Sequence, residues 1–544
     1  MRRPKIDRRS AATVAVALLP VLVAAVRGLL SHRAPLGDNG LIALRAHDVL
    51  TVDHPWFGTW TSASLSAGVD FNNPSPLHFD ALAVFVKPFG VAVGSVLGAA
   101  AINASAIALA IRQGWHLAGR RGEALAASAC VMLSFTLGSE MLADPWQPHN
   151  LVLPFLAFMV TTAALATGHW SSAPWAVAVG SMVLGAHLSF VYLVLALLAV
   201  SAVLAWRVKT PGWRRGALWS LVAGLLAWLQ PLLEQFLGYG RGNLSRLLEA
   251  SSGGQQPIGL RLGARLVSQV VAMPPWWLRP SFTDSVPDTA YSPDGMLRPP
   301  GVVSAGWAAA SLVVLVGLLT WLSLLWTRRH DRAPRAVAVI ALTGLVVSLG
   351  TAAVMPAGVI GLAPHQVRWL WPVAAMVTLA IVDGVDRLVL HARVPRRWRM
   401  AAPIALMTVA AVGNLPAHLS DLGPSDSRSV NDTVRSLMRQ VSVTGLPGAT
   451  YFDGSNLVFA EPYSGPVLAA LVENGQPIRA GDVSFARQLG EHRRRRNDEQ
   501  WVLQVRAGTD AGVVAAGETV LASATAPNGD LVTVVVTEVA VSGG

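Results

Sequence analysis

Three short stretches hold most of the residues that could do chemistry in this chain. The first begins at Gly37-Asp38-Asn39-Gly40, just after the first long apolar segment. It runs through Asp48, Asp53 and His54 to Asn72-Asn73-Pro74-Ser75-Pro76-Leu77-His78, just before the second apolar segment. A carboxylate at such a membrane exit is placed to act as a general base, taking the proton from a hydroxyl as that hydroxyl attacks carbon. Asp38 is the candidate base, with Asn39 and His78 as candidate substrate-binding groups. Asp and Asn are also favoured helix N-caps, so capping of the next helix is the competing reading of Asp38.

The second stretch is Asp144-Pro145-Trp146-Gln147-Pro148-His149-Asn150, a tight turn between apolar segments. Asp144 is a second candidate acid. Asp144 and His149 are the residues that could hold a divalent cation, Mg or Mn, against a phosphate. A Pro-rich turn with Trp146 in an interfacial belt is the alternative. The third stretch is His365-Gln366-Val367-Arg368-Trp369-Leu370-Trp371-Pro372. An arginine at the start of an apolar segment is a functional candidate, and its guanidinium fork binds phosphate bidentately. Arg368 is thus a candidate phosphate clamp, with a snorkelling arginine as the alternative. His365 beside it and His187 at the end of another apolar segment complete the candidate substrate-binding set. Arg241, Arg261, Arg265 and Arg279 could meet the same phosphate, and Trp276 and Trp277 could stack on a glycan.

Other chemistry lacks its signature. There is no phosphate-cradling P-loop, no dinucleotide-binding glycine fingerprint and no HExxH, and no nucleophile-elbow serine. The single cysteine, Cys130, lies inside an apolar segment and reads as a small core residue.

The elements that must position these residues are set by composition. Of 544 residues, 53% are hydrophobic and 13% charged, about half the charged fraction of a soluble domain. That points to a polytopic membrane protein. About eleven candidate spans begin near Ala11, Ala81, Glu123, Asn150, Ala173, Ser189, Gly216, Ser304, Ala336, Val367 and Met400. The stretch 173–206 is split in two near His187. With alternating crossings, the basic groups at Arg2–Arg9, Arg112–Arg121, Arg207–Arg215, Arg328–Arg335 and Arg387–Arg399 fall on one side. The positive-inside rule makes that side cytoplasmic and excludes nucleic acid as the reason for the net charge of +11. The N-terminal segment reads as an uncleaved membrane helix with a cytoplasmic N-terminus.

Residues 1–420 then form the membrane part and 421–544 a small extracytoplasmic α/β domain. Within it, helices are expected over Val430–Val441 and Pro466–Glu473. Strands are expected over Ala449–Phe452, Leu457–Ala460, Trp501–Val505, Thr519–Ser523 and Leu531–Val536.

The layout resembles the GT-C superfamily of polytopic glycosyltransferases. The resemblance rests on Gly37-Asp38-Asn39 in the first outer loop and on the Pro-rich end of that loop, Asn72 to His78. A many-helix body with an outer C-terminal domain is similar to actinobacterial members that build cell-wall arabinan and mannan. The resemblance implies a polyprenyl-phosphate-linked sugar donor, a cell-envelope glycan or glycolipid acceptor, and transfer on the outer face of the cytoplasmic membrane among its lipids. Asp38 would be the base, Asp144 a secondary acid or metal ligand, and Arg368 the phosphate clamp. Many members carry two adjacent acids where this chain has Asp38-Asn39. A lipid or glycan flippase, or a noncatalytic envelope-assembly protein, is the alternative.

Overall fold

The computed structural model describes residues 8–539, apart from 239, 252–255, 273–301, 357–361, most of 391–427, 458–460 and 482. Helices stand at ten of the eleven expected positions: Arg8–Leu30, two within Leu77–Leu142, Val152–Ala166, Ala173–Ala186, Val191–Val208, Trp213–Leu237, Ala305–Arg328, Arg332–Val354 and Leu370–Val385. The segment expected from Met400 lies outside the described residues. Among the described residues, seven helical segments are long and apolar enough to cross a membrane. The smaller number has a geometric cause. Ala173–Ala186 and Leu370–Val385 have 14 and 16 residues, short of the ~20 that cross a bilayer. The 66 residues of Leu77–Leu142 make two passes, with non-helical backbone at Gly90, at Ala118-Gly119 and at Gly138.

As one rod that stretch would be about 99 Å long. It doubles back instead at Ala118-Gly119, where Gly119 has φ +59°. A Cβ on Gly114 would lie 2.4 Å from Gly122 O, so only glycine lets the two passes come this close. Further along, Asn103 Nδ2 donates to Leu142 O at 2.9 Å, across the hairpin. The stretch after Ala173 breaks at His187, whose backbone is extended (φ −155°, ψ 119°).

Polar contacts sort the loops into two ends. At one end, Arg121 meets Asp383 at 2.7 Å and Asp386 at 2.8 Å, and Arg387 meets Asp331 at 2.8 Å. Thr210 Oγ1 donates to Gly168 O at 2.6 Å there. Of the basic groups assigned to one side, Arg121 and Arg387 therefore share one end of the bundle. At the other end, Ser75 N donates to Gly185 O at 3.0 Å, and Ile258 N to Met355 O at 2.9 Å.

After Leu237 the chain forms two amphipathic helices, Asn243–Ser251 and Gly259–Val271. The second seats Leu262, Leu266 and Val270 against Arg332–Val354.

Near the C-terminus, five strands form one sheet: β1 (Thr450–Phe452), β2 (Ile478–Ala480), β3 (Trp501–Ala507), β4 (Glu518–Thr525) and β5 (Leu531–Glu538). The order is β2-β1-β3-β5-β4. β1 is parallel to β2 and β3, and β5 is antiparallel to β3 and β4. The helix Arg428–Ser442 packs on β4. Leu457–Ala460, expected as a strand, lies mostly outside the described residues; β2 and the helix Val483–Leu489 had no expectation. Helix Ser464–Glu473 is apolar all round and buried from Ser464 to Val472. A helix of that kind must be covered on both faces. The sheet side covers one face. Helix Asp38–Asp48, from the first outer loop, covers the other. One apolar core thus contains Ile42, Leu44, Phe79 and Leu82 together with Val434, Leu468, Leu503 and Val534.

Candidate active site

Gly37 has φ +52° and ψ −124°, a conformation suited to glycine. Its N–H donates to Pro462 O at 3.0 Å, across to the C-terminal part. A Cβ on Gly40 would stand 2.2 Å from the backbone of Gly465, and one on Gly465 would stand 2.2 Å from Gly37 O. This glycine contact fixes where helix Asp38–Asp48 starts. Gly37 occupies the N-cap position and Asp38 is the first residue of the helix. The capping reading is therefore not realised.

Instead the Asp38 carboxylate is hydrogen-bonded by the Trp146 side chain and has Glu461 and Asp144 as charged neighbours. Asp38 keeps an accessible surface, yet protein crowds round its carboxylate. Lost hydration raises its pKa above the ordinary carboxylate value. Trp146 opposes that rise, and Glu461 and Asp144 add to it.

Asp144 is brought directly beside this helix start. Asn39 Nδ2 donates to Asp144 Oδ1 at 2.7 Å. His149 Nδ1 is hydrogen-bonded to Asp144 Oδ2, and Arg33 Nη2 stands 3.9 Å from the same oxygen. Burial pushes the Asp144 pKa up, against the pull of Arg33, the Trp146 backbone, Asn39 and Arg368. With Asp144 ionised, His149 Nδ1 carries the proton and Nε2 is an acceptor. His149 Nε2 and Asn39 Oδ1 are buried without a hydrogen-bond partner among the described residues. Buried polar atoms in this state are what an arriving ligand would satisfy.

Trp146 is the hub. The Arg368 guanidinium lies 5.8 Å above its ring, His149 meets it edge-on at 4.9 Å, and His365 lies at 5.0 Å. Arg368 is 3% exposed. Burial lowers its pKa to about 9, with Asp144 opposing, so it stays a cation at neutral pH. His365 is lowered to about 4 by burial and by His187, and His187 to about 4 by burial. Both are neutral hydrogen-bonding groups at pH 7, with His187 Nδ1 paired to Ser189 Oγ at 2.8 Å.

His78 lies apart from this cluster, buried between helices with Nε2 3.1 Å from Asn150 Oδ1. Asn72, from the same loop end, meets Arg487 at 2.9 Å and Asn243 at 2.9 Å, tying three distant segments together. Asp48 and Asp53 hold Arg493 at 2.7 and 3.2 Å. Arg241 pairs with Glu249, and Arg265 donates to Val302 O and Val303 O. Arg279, Trp276 and Trp277 lie outside the described residues.

The donor set does not by itself fit a carboxylate-rich Mg or Mn site. Both Asp144 oxygens are engaged by donors. Among the described residues, no three His, Cys, Asp or Glu side chains gather as a cation-holding group.

Sequence reasoning missed Arg33, Glu461 and Trp146 as members of this cluster. Arg33 carries the signal that singled out Arg368: an arginine at the outer end of an apolar segment. Glu461 carries no such signal, because it arrives from the other end of the chain.

No protein-family model matches the chain, and no curated protein matches it. Among solved structures, the crystal structure of ArnT from Cupriavidus metallidurans in the apo state is similar, with a TM-score of 0.49 and 12% identity. The match covers 96% of this chain and 97% of that one.

Proposed function

We propose that this chain is an integral-membrane glycosyltransferase that moves one sugar from a polyprenyl-phosphate donor to a hydroxyl of a cell-envelope glycan or glycolipid. Transfer takes place on the outer face of the cytoplasmic membrane. The observation that carries the reading is the meeting of Asp38, Asp144, Arg33 and Arg368 around Trp146, where the chain leaves its apolar helices.

The steps follow from that cluster. Asp38 takes the proton of the acceptor hydroxyl as its oxygen bonds to the anomeric carbon. The bond from that carbon to the phosphate oxygen breaks, and polyprenyl phosphate leaves with the electron pair. Arg368 and Arg33 are fixed cations that offset the negative charge on the departing phosphate. Asp144 holds Asn39 and His149 in place, so that Asn39 Oδ1 and His149 Nε2 can accept hydroxyl protons of the sugars. A raised Asp38 pKa strengthens it as a base toward a hydroxyl.

The test is transfer in membranes from a panel of radiolabelled polyprenyl-phosphate sugars, with arabinose and mannose donors included. Wild type is compared with Asp38→Asn at equal insertion. Removing a general base costs about 10²–10⁴-fold, so transfer should fall by at least the lower figure. Transfer at the wild-type rate in Asp38→Asn would sink the assignment of the base. No transfer from any donor by a well-inserted wild type would sink the glycosyltransferase reading.

A further inference from the structure

A cavity of about 250 Å³ lies at the far end of helix Asp38–Asp48 from the acid cluster. Three parts of the chain build it: Arg45, His54, Trp56 and Phe57 from the first outer loop, Leu233 and Glu234 from the end of Trp213–Leu237, and Glu491 and His492 from the C-terminal part. We propose that this cavity is a second binding site, for a neutral saccharide. The inference rests on the proposed function for one further point: the saccharide is the acceptor glycan.

Four observations point to a neutral saccharide. Trp56 is half-exposed at the cavity, with His54 edge-on to it at 5.2 Å. That arrangement leaves an amphipathic ring available as a platform for a sugar face. Beside it, Glu234 commits Oε2 to the Asn243 N–H at 2.8 Å. It is a carboxylate placed at the rim of an aromatic surface, which suits recognition of hydroxyls.

The lining charges are already balanced within the protein. Arg45 is held by Asp48 at 3.0 Å, and Glu491 by Arg487 at 3.1 Å and by Arg494. His54 uses both ring nitrogens, one toward the Leu50 N–H and one toward Gln230. Among the described lining residues, the Arg45 guanidinium is already paired, so none offers an unpaired guanidinium or ammonium to draw a phosphate.

The position also fits. Leu233 and Leu237 end an apolar helix long enough to cross a membrane, so the cavity lies where a lipid-anchored glycan would leave the bilayer surface. Arg45 stands seven residues after Asp38 on one helix, which is about 10 Å of rise. A saccharide in the cavity can therefore extend along the helix and present its next hydroxyl to Asp38.

The test is equilibrium binding of labelled short neutral oligosaccharides of arabinose, mannose and glucose to the full chain in nanodiscs. At least one should bind saturably. Trp56→Ala should weaken that binding about tenfold, whereas Trp56→Phe should keep most of it. Asp38→Asn should bind as wild type does, which separates this site from the transfer step. Binding by none of the oligosaccharides, or equal binding by wild type and Trp56→Ala, overturns the proposal. So does binding of polyprenyl phosphate alone that Trp56→Ala abolishes, which would make the cavity a lipid-phosphate site.

Discussion

Asp48→Asn should loosen the C-terminal α/β part and, with it, the helix that presents Asp38. Asp48 is 2% exposed and lies between two buried guanidinium groups, Arg493 at 2.7 Å and Arg45 at 3.0 Å. Asn keeps the shape and removes the charge. Two cations then share only Asp53, which sits 3.2 Å from Arg493. A surface pair of this kind would contribute about 0–1 kcal/mol. Breaking a buried one costs roughly 3–5 kcal/mol, because the remaining charge stays buried. With Asp53 still in place, the lower end, about 3 kcal/mol, is expected.

The assay is amide hydrogen exchange in nanodiscs. Helices Asp38–Asp48 and Ser464–Glu473 share one core, so they should open together. A loss of about 3 kcal/mol is an exchange rate about 100-fold faster in both. Asp48→Asn combined with Arg493→Gln should be less destabilised than the sum of the single variants, since the second change removes an uncompensated cation. Unchanged exchange in both helices, or strict additivity in the double variant, would refute the reasoning that Asp48 is the buried anchor between the two parts.

The other predictions concern the cluster itself. Crowding by protein raises the Asp38 pKa, so its ionised form weakens folding at neutral pH, by a small amount because the residue is exposed to solvent. The stability it supplies is full below its unfolded-state pKa and is lost as pH rises through the folded one; Asp38→Asn should therefore raise the melting temperature while transfer collapses. The acid limb of the transfer rate should lie above the ordinary carboxylate range, because activity needs the ionised form, and a pH–rate profile checks this. Arg368→Gln should lower kcat about 10²–10³-fold, the usual cost of one charge-stabilising group, with Arg368→Lys recovering only part, which steady-state kinetics will show. His187 and His365 are held near 4, so neither should place an inflection near pH 6.5 in that profile. Gly40→Ala drives a Cβ into Gly465 and should speed exchange in helix Ser464–Glu473 and lower kcat at unchanged insertion.

Much of the architecture was legible in the order of residues. Runs of apolar residues must leave water wherever they occur, so the helix positions follow from length and hydropathy alone. The break at His187 and the common end shared by Arg121 and Arg387 follow from alternation and from the cost of burying charge. The strands at Thr450, Trp501, Glu518 and Leu531 and the helix at Ser464 were visible from local period. The same local character hid the 14- and 16-residue helices, which composition extends past their true ends.

The meeting of surfaces could not be read locally. Asn39 and Asp144 are 105 residues apart, and Glu461 reaches Asp38 from a part of the chain that sequence treated as a separate module. That the outer loop and the C-terminal sheet share a core depends on Gly37, Gly40 and Gly465 matching in shape, and a glycine's own sequence neighbours do not state what its missing side chain makes room for. By itself the sequence determined which residues must leave water, and it supplied Asp38, Asp144 and Arg368 as chemical candidates. The tertiary structure decided which of them touch, because long-range packing depends on complementary surfaces that no local pattern encodes.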